Sequence, residues 1–150
     1  MKNVLILSAL LLTFSACNKE KRFSRKFIKG EVWSVTAIRV DGTKIPFKGE
    51  WLISQDVDIY DSVPQCIWKL GSMDAVFEWQ FQNKGKTLQL NYVQLCAECE
   101  ASEMDTLDYL AYNLTGNYSV EQHRRNKMKF SSTETIGYAG ENIEIALERK

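Results

Sequence analysis

One histidine, His123, stands in the whole chain, and acidic and basic side chains cancel to a formal net charge of zero. A lone imidazole leaves the paired histidine spacing of many zinc sites incomplete, and a Ser-His-Asp arrangement would have to rest on that one ring. Flanked by Gln122 and Arg124 in a polar turn, it reads as a solvated loop residue. Zero net charge leaves no footprint for a nucleic acid. Gly-rich phosphate loops are missing, as is the Asp-x-Asp-x-Asp-Gly order of an EF-hand. The apolar run Val4–Leu12 is much shorter than the about 20 residues of a membrane span, and no second run competes with it. Repeats and low-complexity segments are absent. These gaps remove most enzyme classes, and no catalytic residue, cofactor or metal is expected.

The N-terminus carries the clearest signal. Met1-Lys2-Asn3, the run Val4–Leu12 and then Thr13-Phe14-Ser15-Ala16 have the charged start, short apolar middle and small residues of a secretory signal. Cys17 follows directly. This arrangement resembles the lipobox of bacterial lipoproteins, with Phe14 in the place usually held by Leu. The resemblance implies that residues 1–16 are a signal peptide. Cys17 would be the lipid-attachment residue, carrying a diacylglyceryl thioether and palmitate-type acyl chains. It further implies a cell envelope of a diderm bacterium, with the membrane, expected to be the outer one, as partner. At about 0.8 kcal/mol per buried methylene, two or three such chains hold almost permanently. Residues 17–29 then read as a lipidated basic tether: Lys19, Lys21, Arg22, Arg25, Lys26 and Lys29 face a single Glu20. Phe23, Phe27 and Ile28 allow a short amphipathic turn, while a solvated linker is the plainer expectation.

From Gly30 the period is two, which predicts strands. Trp33, Val35 and Ala37 alternate with polar residues up to Asp41-Gly42, a strong hairpin signal. Over 50–60 Trp51, Ile53, Val57 and Ile59 share a parity, with Gln55 as the exception, and over 65–70 Cys66, Trp68 and Leu70 do. Phe77, Trp79 and Phe81 alternate with Glu78, Gln80 and Gln82, and the tight turn Asn83-Lys84-Gly85 leads into Leu88, Leu90 and Tyr92. Further strands are expected over 118–121, 127–132, 133–138 and 142–147. The break at 96–107 is acidic, and Met104, Leu107 and Leu110 have helical spacing, so one short helix or loop insertion belongs there. Hydrophobic content of 45% and four tryptophans indicate a folded globule. The fold class is therefore all-β, a small antiparallel up-and-down barrel spanning 30–150, because closure removes the exposed edges of so many short strands.

Gly30-Glu31-Val32-Trp33 with Val40-Asp41-Gly42, and later Thr115-Gly116-Asn117-Tyr118-Ser119-Val120, resemble the opening and closing stretches of lipocalin-like domains in Bacteroidetes-type lipoproteins. Trp stands three residues after Gly here, where lipocalins place it two after. The resemblance implies a small antiparallel barrel and by itself no activity.

With Cys17 lipidated, Cys66, Cys96 and Cys99 remain, an odd number. An oxidising envelope favours a disulfide. Cys96–Cys99 is the easier pair, since a simple meander places Cys66 and Cys96 at opposite barrel ends. Cys66–Cys96 would stabilise more by closing a longer loop. Cys96-Ala97-Glu98-Cys99 lacks the βαβ context of a redox motif. A zinc set of Cys66, Cys96, Cys99 and His123 has the right count but not the usual spacing.

Trp33, Trp51, Trp68, Phe77, Trp79 and Phe81 are expected on one face. They are the candidates to line an apolar pocket, although large side chains fill space and a packed core is the plainer default in a barrel of eight strands. Two functions follow. The first is an envelope-anchored, non-enzymatic module that binds a small apolar ligand or a partner protein. The second is a small envelope enzyme using the barrel mouth. A hollow aromatic interior favours a ligand, converging polar groups favour an enzyme, and a solid core with an exposed apolar patch favours a protein partner.

Overall fold

The computed structural model describes residues 19–53, 63–94 and 104–150. The two-residue period becomes nine strands: β1 (Val32–Val40), β2 (Thr43–Lys44), β3 (Glu50–Ile53), β4 (Gln65–Leu70), β5 (Met73–Gln82), β6 (Thr87–Val93), β7 (Gly116–His123), β8 (Lys127–Ser132) and β9 (Ile143–Arg149). Each pairs antiparallel with its neighbour, and β1 also pairs with β9 from Trp33↔Arg149 to Val40↔Ile143. That last pairing closes an eight-stranded barrel, with β2 as an extra strand beside β1. The result is the small antiparallel barrel expected from the alternation, and it is consistent with the lipocalin-like form that the resemblance implies.

Inward parity explains the core. Trp33, Trp51, Trp68, Phe77, Leu88, Leu90, Phe130, Ile143 and Ile145 are all fully buried. Outward neighbours such as Lys127, Lys129, Glu144 and Glu148 pair across β8 and β9, with Lys127–Glu148 at 2.7 Å and Lys129–Glu144 at 3.0 Å. A bulge in β1 between Val35 and Ala37 changes the parity, so that Ala37 and Ile38 are both buried. Simple alternation missed this switch, because one extra residue on the bulged strand re-aims everything after it.

A helix closes each end. α1 occupies 19–28 and packs Phe27 against Trp33, Trp79 and Phe81 at ring distances of 5.7, 4.9 and 5.9 Å. α2 (Thr106–Asn113) buries Leu107, Leu110 and Ala111. It lies near the other end of β5 and β6, where Ala75 and Tyr92 sit. Ala75 and Phe81 are six positions apart on β5, so the two helices act at points about 20 Å apart along that strand.

Several expectations change. Over 19–28 the basic stretch is not a solvated linker. Phe23 and Phe27, four residues apart, share one helix face, and burying them draws the segment onto the barrel. The helix placed near 96–107 begins only at Thr106, where Asp105 caps it. Its carboxylate accepts from the amides of Leu107 and Asp108, both at 2.8 Å. Residues 133–138 form no strand, only an isolated bridge Gly116↔Thr135. The segment is instead hydrogen-bonded to the end of α2, Gly137 N–H donating to the Asn113 carbonyl at 3.0 Å.

Candidate functional site

The six aromatics expected to line a pocket do come together inside the barrel, but as filling. Trp33, Trp51, Trp68 and Phe77 have no exposed surface, and Trp79 and Phe81 almost none. Trp51 lies 5.6 Å from Phe77 and 6.4 Å from Trp68, ring to ring. Trp33 Nε1 donates to the Phe27 carbonyl at 3.0 Å, and Trp68 Nε1 to the Lys48 carbonyl at 2.7 Å. Gly30 makes the first of these possible. A Cβ there would meet the Trp33 indole at 2.2 Å, so the ring can fold back over the α1–β1 junction only above a glycine. This gives the Gly-x-x-Trp spacing a mechanical meaning.

Cys66 belongs to the same interior. It is buried and free among the described residues, and inward parity on β4 encloses the thiol beside Phe77, its register partner. Burial pushes that thiol far above its ordinary range. Cys96, Cys99 and Cys17 lie outside the described residues. Among the described residues there is no disulfide, and no three His, Cys, Asp or Glu side chains gather as metal ligands.

His123 is not a solvated turn residue. Its ring stacks on Phe23 of α1 at 3.9 Å and meets Phe81 edge-on at 5.5 Å, with neither nitrogen hydrogen-bonded. Burial lowers its pKa and the charges of Lys26 and Arg22 add to that, while the neighbouring backbone at His123 and Phe23 opposes it. The neutral ring therefore serves as an apolar seat for α1. The turn residue Gly85 completes the seat, with Phe23 against its Cα and a φ of +77°.

The α2 end carries a different chemistry. Tyr109 is 59% exposed, Tyr112 43% and Ile136 53%, while the other exposed large apolar side chains among the described residues, Val63 and Ile67, lie apart at the start of β4. Tyr112 and Tyr92 meet edge to face at 6.3 Å. Tyr92 Oη donates to Asp108 Oδ1 at 2.9 Å. Burial pushes the Tyr92 hydroxyl up to about 12, helped by that hydrogen bond and by the charges of Asp108 and Asp105. Burial also raises the Asp108 carboxyl; the Tyr92 hydrogen bond opposes this and the Asp105 charge adds to it. Tyr138 is raised by burial, then by Glu141 and Tyr109, which places it on the same surface. The segments 104–115 and 133–142 hold Asp105, Asp108, Glu134 and Glu141 and no Lys or Arg. Sequence reasoning passed over these tyrosines, although Tyr109 and Tyr112 at i and i+3 on a short helix were the available signal.

A polar cleft of about 360 Å³ opens in the wall near Thr87, Asn117, Ser119 and Ser131. Several of its polar side chains are already engaged. Ser132 Oγ donates to the Asn117 carbonyl and Ser131 Oγ to Glu121, both at 2.6 Å, and Asn83 Nδ2 donates to Thr87 Oγ1 at 3.1 Å. No family model matches this chain, and no curated protein or solved structure matches it either. The fold itself is compatible with a lipocalin-like binding module.

Proposed function

We propose that this protein is a lipid-anchored, non-enzymatic module of a bacterial cell envelope, held by Cys17, that presents its α2 end to a protein partner. The observation that carries this reading is the contrast between core and surface. The barrel interior is filled by Trp33, Trp51, Trp68, Phe77, Trp79 and Phe81, and α1 and α2 cover its ends. Meanwhile Tyr109, Tyr112 and Ile136 remain outside on one surface. Exposed apolar side chains ringed by polar ones mark interaction sites, and tyrosine is among the residues enriched at such interfaces. The secretory signal and Cys17 support the anchoring half.

Native mass spectrometry of the envelope-purified protein tests both halves. The expected species is a chain starting at an acylated Cys17, without a small apolar ligand. A companion polypeptide should accompany it and be lost from the Tyr109→Ala/Tyr112→Ala variant. An unacylated mature mass sinks the anchor, and a stoichiometric small ligand sinks the filled-barrel reading. A companion that stays bound to the double variant sinks the tyrosine surface.

A further inference from the structure

We propose that α1 and the β7–β8 hairpin form one cationic face that rests on anionic phospholipid headgroups, so that the barrel stands on its α1 end. Arg22, Arg25, Lys26 and Lys29 are exposed on or just after α1, and Arg124 and Arg125 are exposed in the hairpin. The two elements adjoin directly, because the Phe23 and His123 rings stack at 3.9 Å. None of these six cations forms an ion pair with a carboxylate among the described residues. On the barrel wall Arg39, Lys69, Lys127, Lys129 and Lys150 each have an acidic partner, and the wall cations that lack one, such as Lys44 and Lys86, are not gathered on one helix face as Arg22, Arg25, Lys26 and Lys29 are. The one acid of α1, Glu20, is occupied, its Oε1 accepting from the Lys84 amide at 2.5 Å.

The occupant follows from where the chain goes next. A dozen residues of linker would let the domain float well clear of a bilayer. α1 takes up that length in the fold, so the described helix is under way at Lys19, two residues after Cys17. Two residues reach at most about 7 Å. An acylated Cys17 therefore brings this face to headgroup level, within the roughly 8–10 Å over which charge acts at physiological salt. The inference rests on the Cys17 anchor for its location. The affinity of the face for anionic lipid is a property of the folded chain alone.

The test uses the chain from residue 17 with Cys17→Ser, which carries no acyl group; every described contact of the fold lies within it. Its co-sedimentation is measured with phosphatidylcholine vesicles and with vesicles containing about one-third phosphatidylglycerol. Binding should require the anionic lipid and vanish in high salt. At about 1 kcal/mol per basic residue near the surface, Arg124→Gln/Arg125→Gln should weaken it by roughly ten- to thirty-fold, with an unchanged circular dichroism spectrum. Lys69→Gln, which removes a cation of the barrel wall, should leave it unchanged. Equal binding to both vesicle types overturns the proposal, and so does a hairpin variant that binds like the parent chain. An unacylated Cys17 in the native protein would remove the anchor while leaving this measurement to stand or fall separately.

Discussion

The two ends of the barrel solve one problem with opposite surfaces. Each must cover apolar side chains exposed where the strands stop, and each uses a short helix. α1 inserts one large ring, Phe27, among Trp33, Trp79 and Phe81. α2 lays down several smaller groups, Leu107, Leu110 and Ala111, followed by Leu114. Outside, the first end is cationic and the second is tyrosine-rich and acidic. The inner faces are interchangeable in kind, since burial is non-directional and scales with apolar area. The outer faces carry the information, because charge and exposed aromatics decide what approaches. A net charge of zero thus conceals a basic helix and hairpin at one end and, at the other, the segments 104–115 and 133–142 that hold no Lys or Arg.

The sharpest way to break the comparison is to remove one end's seal. Phe27→Ala deletes a fully buried ring and leaves a void between three aromatics, and should cost about 3–5 kcal/mol. The loss should appear as a lowered denaturant midpoint, and amide exchange should accelerate at the α1 end well before the α2 end. Uniform acceleration would mean that the ends are not separate units. At the other end the expected effect is smaller. Asp105→Ala removes both capping hydrogen bonds of α2 and should cost about 1 kcal/mol, read in the same exchange experiment as protection lost over Thr106–Asn113. An unchanged α2 with a loosened α1 would invert the assignment.

How much of this was legible beforehand depended on the range of the signal. Strands were readable because alternation is local: Phe77, Trp79 and Phe81 announce their own face, and 127–132 was bounded as it occurs in β8. The β1 bulge was not readable, since Ala37 and Ile38 are both apolar and either parity fits. α1 was half visible. Phe23 and Phe27 have helical spacing, but six basic residues in the same stretch argue for solvent, and only the waiting surface of Trp79, Phe81 and His123 decides the matter. His123 was misjudged for the same reason: its sequence neighbours are polar, whereas its partners Phe23 and Phe81 are far away in the chain. The alternation that marks each of the six aromatics is local, and the six lie buried together in the barrel. Whether they line a pocket or fill one turns on ring volumes and end caps, which no local pattern encodes.

The smallest expected effect is also the most discriminating, because its sign differs between the ends. His123 has a pKa below its usual 6.5 in the fold, so the unfolded chain takes up the proton first. Its support for α1 is complete above about pH 6.5 and is lost as pH falls below that, through the lowered value of the folded state. Asp108 has a carboxyl raised above 3.8 in the fold, so the folded chain holds its proton longer. Its contribution is complete below about pH 3.8 and is lost as pH rises through the raised value. Acidification from pH 7 should therefore loosen α1 while α2 holds or tightens, when amide exchange is corrected for the intrinsic effect of pH. His123→Phe should flatten the response of the first end, keeping the stack without a titrating nitrogen. Asp108→Asn should flatten the second. If both ends loosen together in acid and neither substitution changes the slope, the two caps are governed by the net charge of the whole chain rather than by the ring and the carboxylate beneath them.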